Sequence, residues 1–294
     1  MFHRPLLALL LPALFGFVGC TAPAPSAQFV AQADRLHDGA IASALTSNSD
    51  LHDYLQLIGD RIADGARKAA PNRANEQLLT QLRCQLVNCR LINAFYTGGN
   101  HVYIYSGLVG VCDNEDELAA AVAHEYAHAM ALDLEKTKMR PDPNRPLPAV
   151  AFEFVVNRLT ADQEASADEL ALLIYSRAGW DPLRFPALFE HLSAITSAYT
   201  APDRAPLPIR SQRLRASISQ SSREWRQAPV ADPKTFDVLR GQAISAGQGL
   251  GSPEAQIYLR AFPNCLLGGD PPETRDAQER LRPPPPPPPK LEPS

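Results

Sequence analysis

Apolar side chains recur with the period of an α-helix near the start of this chain. Four of them lie three or four residues apart or side by side: Tyr54, Leu55, Ile58 and Ile62. Because residues three and four apart share one helix face, this spacing indicates positions that face a core. The pattern predicts helices over residues 29–67 and 72–83.

A third helix is predicted over residues 114–135, which read NEDELAAAVAHEYAHAMALDLE. Asn114 is a favourable N-cap, and Glu117 stands three residues later, as in a capping box. Gly and Pro are absent between residues 115 and 138. The alanine-rich centre therefore has a high helix propensity.

A fourth helix, rich in acidic side chains, is predicted over residues 155–178. Gly179 ends it, and the Trp180-Asp181-Pro182 sequence that follows is a typical helix stop. The proline-rich residues 137–149 lie between this helix and the previous one. We interpret them as a connector, with a lid over a cleft as the alternative.

The first 20 residues are predicted to be a targeting segment that is not part of the fold. Their apolar run, residues 6–18, is too short to span a bilayer comfortably. Phe17-Val18-Gly19-Cys20 resembles the cleavage box of bacterial lipoproteins, which makes Cys20 a candidate for lipidation. An ordinary signal peptide cut near Ala22 or Ala24 is the alternative.

Beyond this segment, no stretch of the sequence is long enough to cross a membrane. The apolar residues 150–156 are few and include Glu153. We therefore expect a soluble domain on a lipid tether, with residues 21–28 as a flexible spacer. By resemblance to bacterial lipoproteins, Thr21 after the cysteine favours the outer membrane.

The formal net charge is −4 at pH 7. The chain has no basic run and no glycine-rich phosphate loop, so nothing indicates binding of nucleic acid. The sequence does not indicate an oligomeric state.

Four cysteines remain after Cys20, and an even number in an exported chain permits two disulfides. Cys84–Cys89 is a plausible local bridge, which leaves Cys112–Cys265. Three pairings are possible, and the sequence does not select one. No C-x-x-C spacing occurs, which disfavours cysteine ligands to zinc.

Residues 124–128 read His-Glu-Tyr-Ala-His and fit the pattern H-E-x-x-H. On a helix, His124 and His128 lie on one face, one turn apart, so their imidazoles can bind one metal ion. Glu125 stands beside them and can take a proton from a bound water. The pattern indicates peptide hydrolysis that depends on one Zn²⁺ per chain.

Zinc in a catalytic site needs a third protein ligand and an open position for water. Glu164 and Asp168 lie four residues apart on the predicted acidic helix and share a face. We predict that Glu164 is the third ligand and that Asp168 holds a histidine N–H from behind. A solvated acidic face is the alternative for this pair.

The chain resembles the HtpX-like, BepA-like and CAAX-prenyl-protease-type zinc metallopeptidases over roughly residues 50–215. Besides the H-E-x-x-H helix, the matching signals occur in the family's order: Asn93-Ala94-Phe95, Gly98-Gly99, His101-Val102-Tyr103-Ile104-Tyr105, Gly107-Leu108, Glu164-Ala165-Ser166-Ala167-Asp168 and Gly179-Trp180-Asp181-Pro182. This resemblance implies an α+β fold that is mostly helical and zincin-like, with a small β-sheet whose edge strand borders the active-site cleft.

The resemblance also implies how a substrate binds. Residues 101–105 are expected to be the edge strand that pairs with an extended peptide. The residues expected to contact substrate are Asn93, Ala94, Phe95, Val102 and Tyr103. Arg213 is expected to stabilise the oxyanion, with Arg210 as the alternative. Ala205 stands where BepA-like members carry a histidine that caps the zinc, so such a capped state is not expected.

Together, the resemblance and the targeting segment imply an endopeptidase that removes unfolded or misassembled envelope proteins. A non-catalytic periplasmic chaperone or outer-membrane assembly factor of the same fold is the alternative, and a glycan-directed zinc hydrolase is a weaker one. The metallopeptidase domain is expected to span residues 29–265 with a C-terminal helical extension. Residues 266–294, which contain seven consecutive prolines, are expected to be a disordered tail.

Overall fold

The fold is known from a computed structural model of the chain. It describes residues 24–70, 75–133, 135, 159–196, 205–220, 233–249, 251–262, 264, 266 and 267. The predicted targeting segment with Cys20, residues 137–149 and most of the proline-rich tail lie outside the described residues. No helix in the described part of the chain is long and apolar enough to cross a membrane.

Helices make up most of the described chain and surround one small sheet. The helices are α1 (Ala27–Gly39), α2 (Ser49–Ala69), α3 (Glu76–Gln81), α4 (Ser106–Val111), α5 (Glu115–Ala131), α6 (Ala161–Arg177), α7 (Phe185–Ile195), α8 (Leu207–Gln220), α9 (Pro233–Ala246) and α10 (Pro253–Ala261). The strands are β1 (Arg83–Val87), β2 (Ala94–Gly98) and β3 (His101–Tyr105). The α+β class predicted from the sequence is confirmed.

The sheet has the order β1-β3-β2, so β3 lies in the centre. It pairs in parallel with β1 and antiparallel with β2, where Tyr96 faces Val102. The prediction that residues 101–105 form the edge strand is therefore wrong. A tight hairpin at Gly98 and Gly99, both at positive φ, folds β2 against β3 and leaves β2 at the edge.

Both faces of the sheet are buried. Along β3, Val102 and Ile104 enter the larger core cluster, whereas Tyr103 and Tyr105 enter a smaller one on the other face. This division follows from the period of two in a strand. Because every position is apolar or aromatic, the strand lacks the alternation of polar and apolar residues that marks a half-exposed sheet.

Helix α5 runs through the larger core, and its residues from Glu115 to Met130 are buried. The alanines at 119–121 and 123 are fully buried, and their small side chains let neighbouring elements approach closely. A similar close approach joins α2 to α6, where a Cβ at Gly65 would meet the carbonyl oxygen of Ile174. The sequence therefore places the H-E-x-x-H string inside the core.

Several predicted boundaries differ from the structure. The helix predicted over 29–67 is two helices, because Asn48 caps a new helix at α2 through the N–H of Leu51. Helix α1 begins at Ala27, inside the predicted spacer. Of the predicted helix over 72–83, the described residues 75–83 form the short α3 and, from Arg83, the start of β1. Leu266 and Leu267 are buried in the larger core, so the core extends past the predicted end at 265.

The local disulfide Cys84–Cys89 is not formed. The thiols of Cys84, Cys89 and Cys112 are free and buried. Cys84 belongs to the larger core, where its sulfur lies 3.7 Å from the Tyr126 hydroxyl, and Cys89 belongs to the smaller one. The pairing fails because the two side chains enter different cores. Cys265 lies outside the described residues.

Candidate metal centre

Helix α5, which carries the H-E-x-x-H motif, begins at the N-cap that its sequence predicts. The side chain of Asn114 accepts a hydrogen bond from the N–H of Glu117, which caps the first turn. The Glu117 carboxylate accepts from the N–H of Asp113, one residue before the cap. Leu132 ends the helix in the left-handed region, at φ 53. The helix therefore presents His124, Glu125 and His128 from its rigid central part.

Three side chains bring their ligand atoms together in the core. His124 Nε2 and His128 Nε2 lie 3.1 Å apart. Glu164 Oε2, from the first turn of α6, lies 3.3 Å from the first nitrogen and 3.7 Å from the second. The predicted cluster of two histidines and one glutamate is therefore assembled in the structure.

These separations fit one metal ion. Zinc binds imidazole nitrogen and carboxylate oxygen at about 2.0–2.2 Å in a tetrahedral arrangement, which separates neighbouring ligands by roughly 3.3–3.6 Å. The three observed distances scatter about that range. Two imidazoles with one carboxylate are also a ligand set of catalytic zinc sites, which keep one position open.

A carboxylate stands behind each imidazole. Asp168 Oδ1 lies 3.1 Å from His124 Nδ1, as predicted, and Asp133 Oδ2 lies 3.0 Å from His128 Nδ1. With a carboxylate oxygen within 3.1 Å of each Nδ1, both Nε2 atoms can present a lone pair to the metal.

The second carboxylate, Asp133, was not predicted. It reaches back to His128 because the left-handed Leu132 reverses the chain directly after α5. Gln163 of α6 donates to its main-chain carbonyl at 3.1 Å, which fixes the turn. The only signal in the sequence was that an aspartate follows His128 by five residues. If α5 continued through residue 133, this aspartate would lie on a different face of the helix from His128.

Asp168 is itself held by a buried arginine. Arg210 Nε and Nη2 donate to its two oxygens at 2.7 and 2.6 Å, and Nη1 donates to the carbonyl of Leu266 at 3.2 Å. The guanidinium also packs over the ring of Phe189. Burial alone would raise the pKa of Asp168, but Arg210 and His124 outweigh it and hold that pKa below its ordinary value.

Glu125 is the remaining acidic group beside the cluster, and its side chain is almost entirely buried. Its Oε2 accepts a hydrogen bond of 2.8 Å from the main-chain N–H of Tyr96 in β2. Within the described structure, Oε1 has no hydrogen-bond partner. Burial raises the pKa of Glu125 although the two imidazoles lower it. A carboxylate held by one oxygen, with the other available, is suited to proton transfer.

Comparison with known proteins agrees with this geometry. Residues 53–140 match the model of Peptidase family M48. Over these residues the chain is similar to the M48 metallopeptidases. It is 25% identical over 241 residues to the beta-barrel assembly-enhancing protease of Escherichia coli strain K12, a match covering 69% of this chain and 48% of that protein.

A second similarity is to the mitochondrial metalloendopeptidase OMA1 of Saccharomyces cerevisiae. The two are 29% identical over 115 residues, which cover 34% of this chain and 33% of that protein. The chain thus spans about half the length of the assembly-enhancing proteases it matches. Similarity to Peptidase family M48 implies a metal cofactor, which the cluster of His124, His128 and Glu164 can hold.

The two candidate arginines lie in different surroundings. Arg213, preferred from the sequence, is exposed on α8. Arg210 is buried, and its Nη2 lies 4.0 Å from Glu164 Oε2. Residue 210 faces α6 because it shares the buried stripe of α8 with Leu207 and Leu214. Because Arg210 donates to Asp168 and to the carbonyl of Leu266, it holds in place the carboxylate beside His124.

The residues expected to contact substrate lie in less accessible places than predicted. Asn93, Ala94 and Phe95 are buried at the start of β2, and the Phe95 ring stacks on Phe262 in the smaller core. Val102 and Tyr103 are buried in the central strand. The side chains of Phe95, Val102 and Tyr103 are thus core residues, and the contact of β2 with Glu125 comes from the Tyr96 main-chain N–H.

Replacing Asp133 by asparagine should weaken metal binding. The amide keeps the size of the side chain but removes the negative charge that orients His128. Loss of such an outer partner typically lowers metal affinity about 10–100-fold. Competition with a chromophoric chelator measures this affinity. An affinity within threefold of wild type would show that Asp133 does not support the ligand.

Proposed function

We propose that this chain is a zinc-dependent endopeptidase that cleaves unfolded or misassembled proteins in the cell envelope. The proposal rests on one observation above all. Two imidazole nitrogens and a carboxylate oxygen converge in the core, next to Glu125, a buried carboxylate with one oxygen available. This is the set of groups that hydrolysis of a peptide bond by a metallopeptidase requires.

The roles of the residues follow from their positions. His124, His128 and Glu164 would hold the zinc, whose positive charge would polarise the scissile carbonyl and lower the pKa of a bound water. Glu125 Oε1 accepts a proton from the attacking water and passes it to the leaving amine, while the Tyr96 N–H fixes Oε2. Asp168 and Asp133 keep the two imidazoles oriented.

We infer from strand β2, at the edge of the sheet, that the substrate binds in an extended conformation. Since β3 separates β1 from β2, the outer side of the buried strand β2 pairs with no second strand among the described residues. The Tyr96 N–H points from that side to Glu125, so the edge runs past the catalytic carboxylate. An extended peptide that pairs with β2 through main-chain hydrogen bonds is selected by its backbone. Such binding favours chains that are not folded.

The cellular setting is part of the same proposal. Lipidation at Cys20 would anchor the chain to the outer membrane, with the catalytic domain facing the periplasm. The relative in Escherichia coli is named for enhancing beta-barrel assembly, which supports a role near the assembly of outer-membrane proteins. Membrane fractionation of wild type and Cys20→Ser tests the anchor, and equal distribution of the two would contradict it.

Degradation of casein, an unfolded protein, tests the activity. The purified chain should cleave casein, lose the activity on dialysis against a chelator and regain it with zinc. Cleavage that persists without metal would overturn the zinc-dependent mechanism. If the folded, zinc-loaded chain leaves casein intact, the endopeptidase proposal fails, and a non-catalytic chaperone of this fold becomes the better account.

A further inference from the structure

A cavity of about 320 Å³ lies between α6 and α8, and Glu164 forms part of its wall. The same glutamate supplies the third ligand atom of the metal cluster. The cavity is therefore directly beside the place where a bond would be cleaved. Its size is near the lower end of the range of about 300–1,000 Å³ for ligand pockets. That volume suits one amino-acid side chain rather than a folded segment.

The wall of the cavity is mainly apolar. Ala161 and Ala165 lie one turn apart on α6 and present methyl groups to it, and Ala205 and Leu214 complete the wall from the other side. Small side chains at three of these four positions leave the space open.

The charged groups deep in the cavity are paired with each other, whereas those at its rim are exposed to water. In its floor, Arg210 donates two hydrogen bonds to Asp168, so the guanidinium is already neutralised. At the rim, Glu169 accepts from the Ser217 hydroxyl at 2.8 Å. Asp162 and Arg213 are exposed at the same rim and carry opposite charges. At the floor, a charged substrate side chain would lose its water without gaining a dedicated partner, because Arg210 and Asp168 already bind each other.

We propose that this cavity is the specificity pocket of the enzyme. It receives the side chain of a substrate residue next to the scissile bond, and it selects uncharged apolar side chains up to the size of phenylalanine. The inference rests on the proposed endopeptidase function and adds a substrate preference to it. Apolar side chains are exposed in unfolded proteins and buried in folded ones, so the pocket and the strand edge select the same substrates.

Ala165 is the position that tests the pocket. A leucine there would project three more carbon atoms into the cavity from α6. A single methylene in an apolar pocket changes kcat/KM about 10–200-fold. The control is Ala216→Leu, the same change at an exposed position of α8 that does not line the cavity.

The experiment compares peptides that differ only at the residue next to the scissile bond: Phe, Leu, Ala, Lys or Glu. Wild type should cleave the Phe and Leu peptides at least 10-fold faster than the Lys and Glu peptides. Ala165→Leu should lower the Phe-to-Ala ratio of kcat/KM at least 10-fold, and Ala216→Leu should not. If wild type prefers the Lys or Glu peptide, the pocket assignment is wrong. It is also wrong if Ala165→Leu lowers kcat/KM equally on all five peptides.

A binding measurement separates this inference from the function on which it rests. Peptide hydroxamates with a benzyl or a methyl side chain bind a zinc site without being cleaved. Zinc-loaded wild type should bind the benzyl compound at least 10-fold more tightly, and Ala165→Leu should lose the difference. If no peptide is cleaved but wild type still prefers the benzyl compound, the proposed function is refuted and the pocket is supported. Equal affinities in wild type would refute the pocket.

Discussion

Replacing Glu125 by glutamine should lower kcat/KM for peptide cleavage by about 10²–10⁴-fold, the usual contribution of a general acid–base group. Glutamine has nearly the same shape, and its side-chain oxygen can still accept from the Tyr96 N–H. It cannot take up a proton at the position of Oε1, which is buried without a hydrogen-bond partner in the described structure. Steady-state kinetics on a fluorogenic peptide measures the loss.

The metal content of this variant is the necessary companion measurement, because Glu125 is not one of the three ligands. Glu125→Gln should hold as much zinc as wild type. The matched control is Glu76→Gln, the same change in an exposed side chain that pairs only with Arg67 at the surface. Glu125→Gln with activity within threefold of wild type, at full zinc content, would show that another group moves the proton.

Replacing Arg210 by methionine should destabilise the fold by about 3–5 kcal/mol, the typical cost of breaking a buried ion pair from one side. Methionine keeps the apolar contact with Phe189 but leaves Asp168 without its two strongest donors. The charge of Asp168 is then buried with only the imidazole of His124 beside it. Urea unfolding followed by circular dichroism gives the change in the free energy of unfolding.

Arg213→Met is the control for this substitution. It makes the same change one turn away on α8, at an exposed position where no buried partner is lost. Surface substitutions of this kind usually change stability by less than about 0.5 kcal/mol. Equal effects of the two substitutions would contradict the assignment of Arg210 as the residue that supports Asp168.

The helices that carry the site could be predicted because their signals are local. The cap at Asn114, the alanine-rich centre of α5 and the stop at Gly179 each act within a turn of the chain. Spacings of four residues on a helix also fix which side chains share a face. The pairings His124 with His128 and Glu164 with Asp168 follow from that spacing alone.

The sheet could not be predicted in the same way, because its order depends on contacts between distant residues. Strand β3 is central only because β1 pairs with it from the opposite side, and no feature of residues 101–105 encodes this. Both faces of the sheet are buried, so the usual alternation is absent. Asp133 escaped prediction because its contact with His128 depends on a left-handed turn at Leu132, a conformation that leucine rarely adopts.

The choice between the two arginines was decided by the orientation of α8 against α6. The spacing of apolar residues in α8 is compatible with either arginine near the site, since the two lie three residues apart. Spacing places residue 210 on one face with Leu207 and Leu214, but only packing shows that this face contacts α6. Sequence patterns therefore predicted the three residues of the cluster and Asp168 beside His124, whereas the contacts of Asp133 with His128 and of Arg210 with Asp168 required the fold.

The most direct test of the account is the zinc content of the folded chain. Native mass spectrometry should find one zinc per wild-type chain and almost none in His124→Ala, with circular dichroism showing that the fold is retained. The control is His191→Ala, which removes a histidine that contacts Glu117 outside the cluster. Full zinc in folded His124→Ala, or loss of zinc in His191→Ala instead, would contradict the central claim that His124, His128 and Glu164 form the metal site.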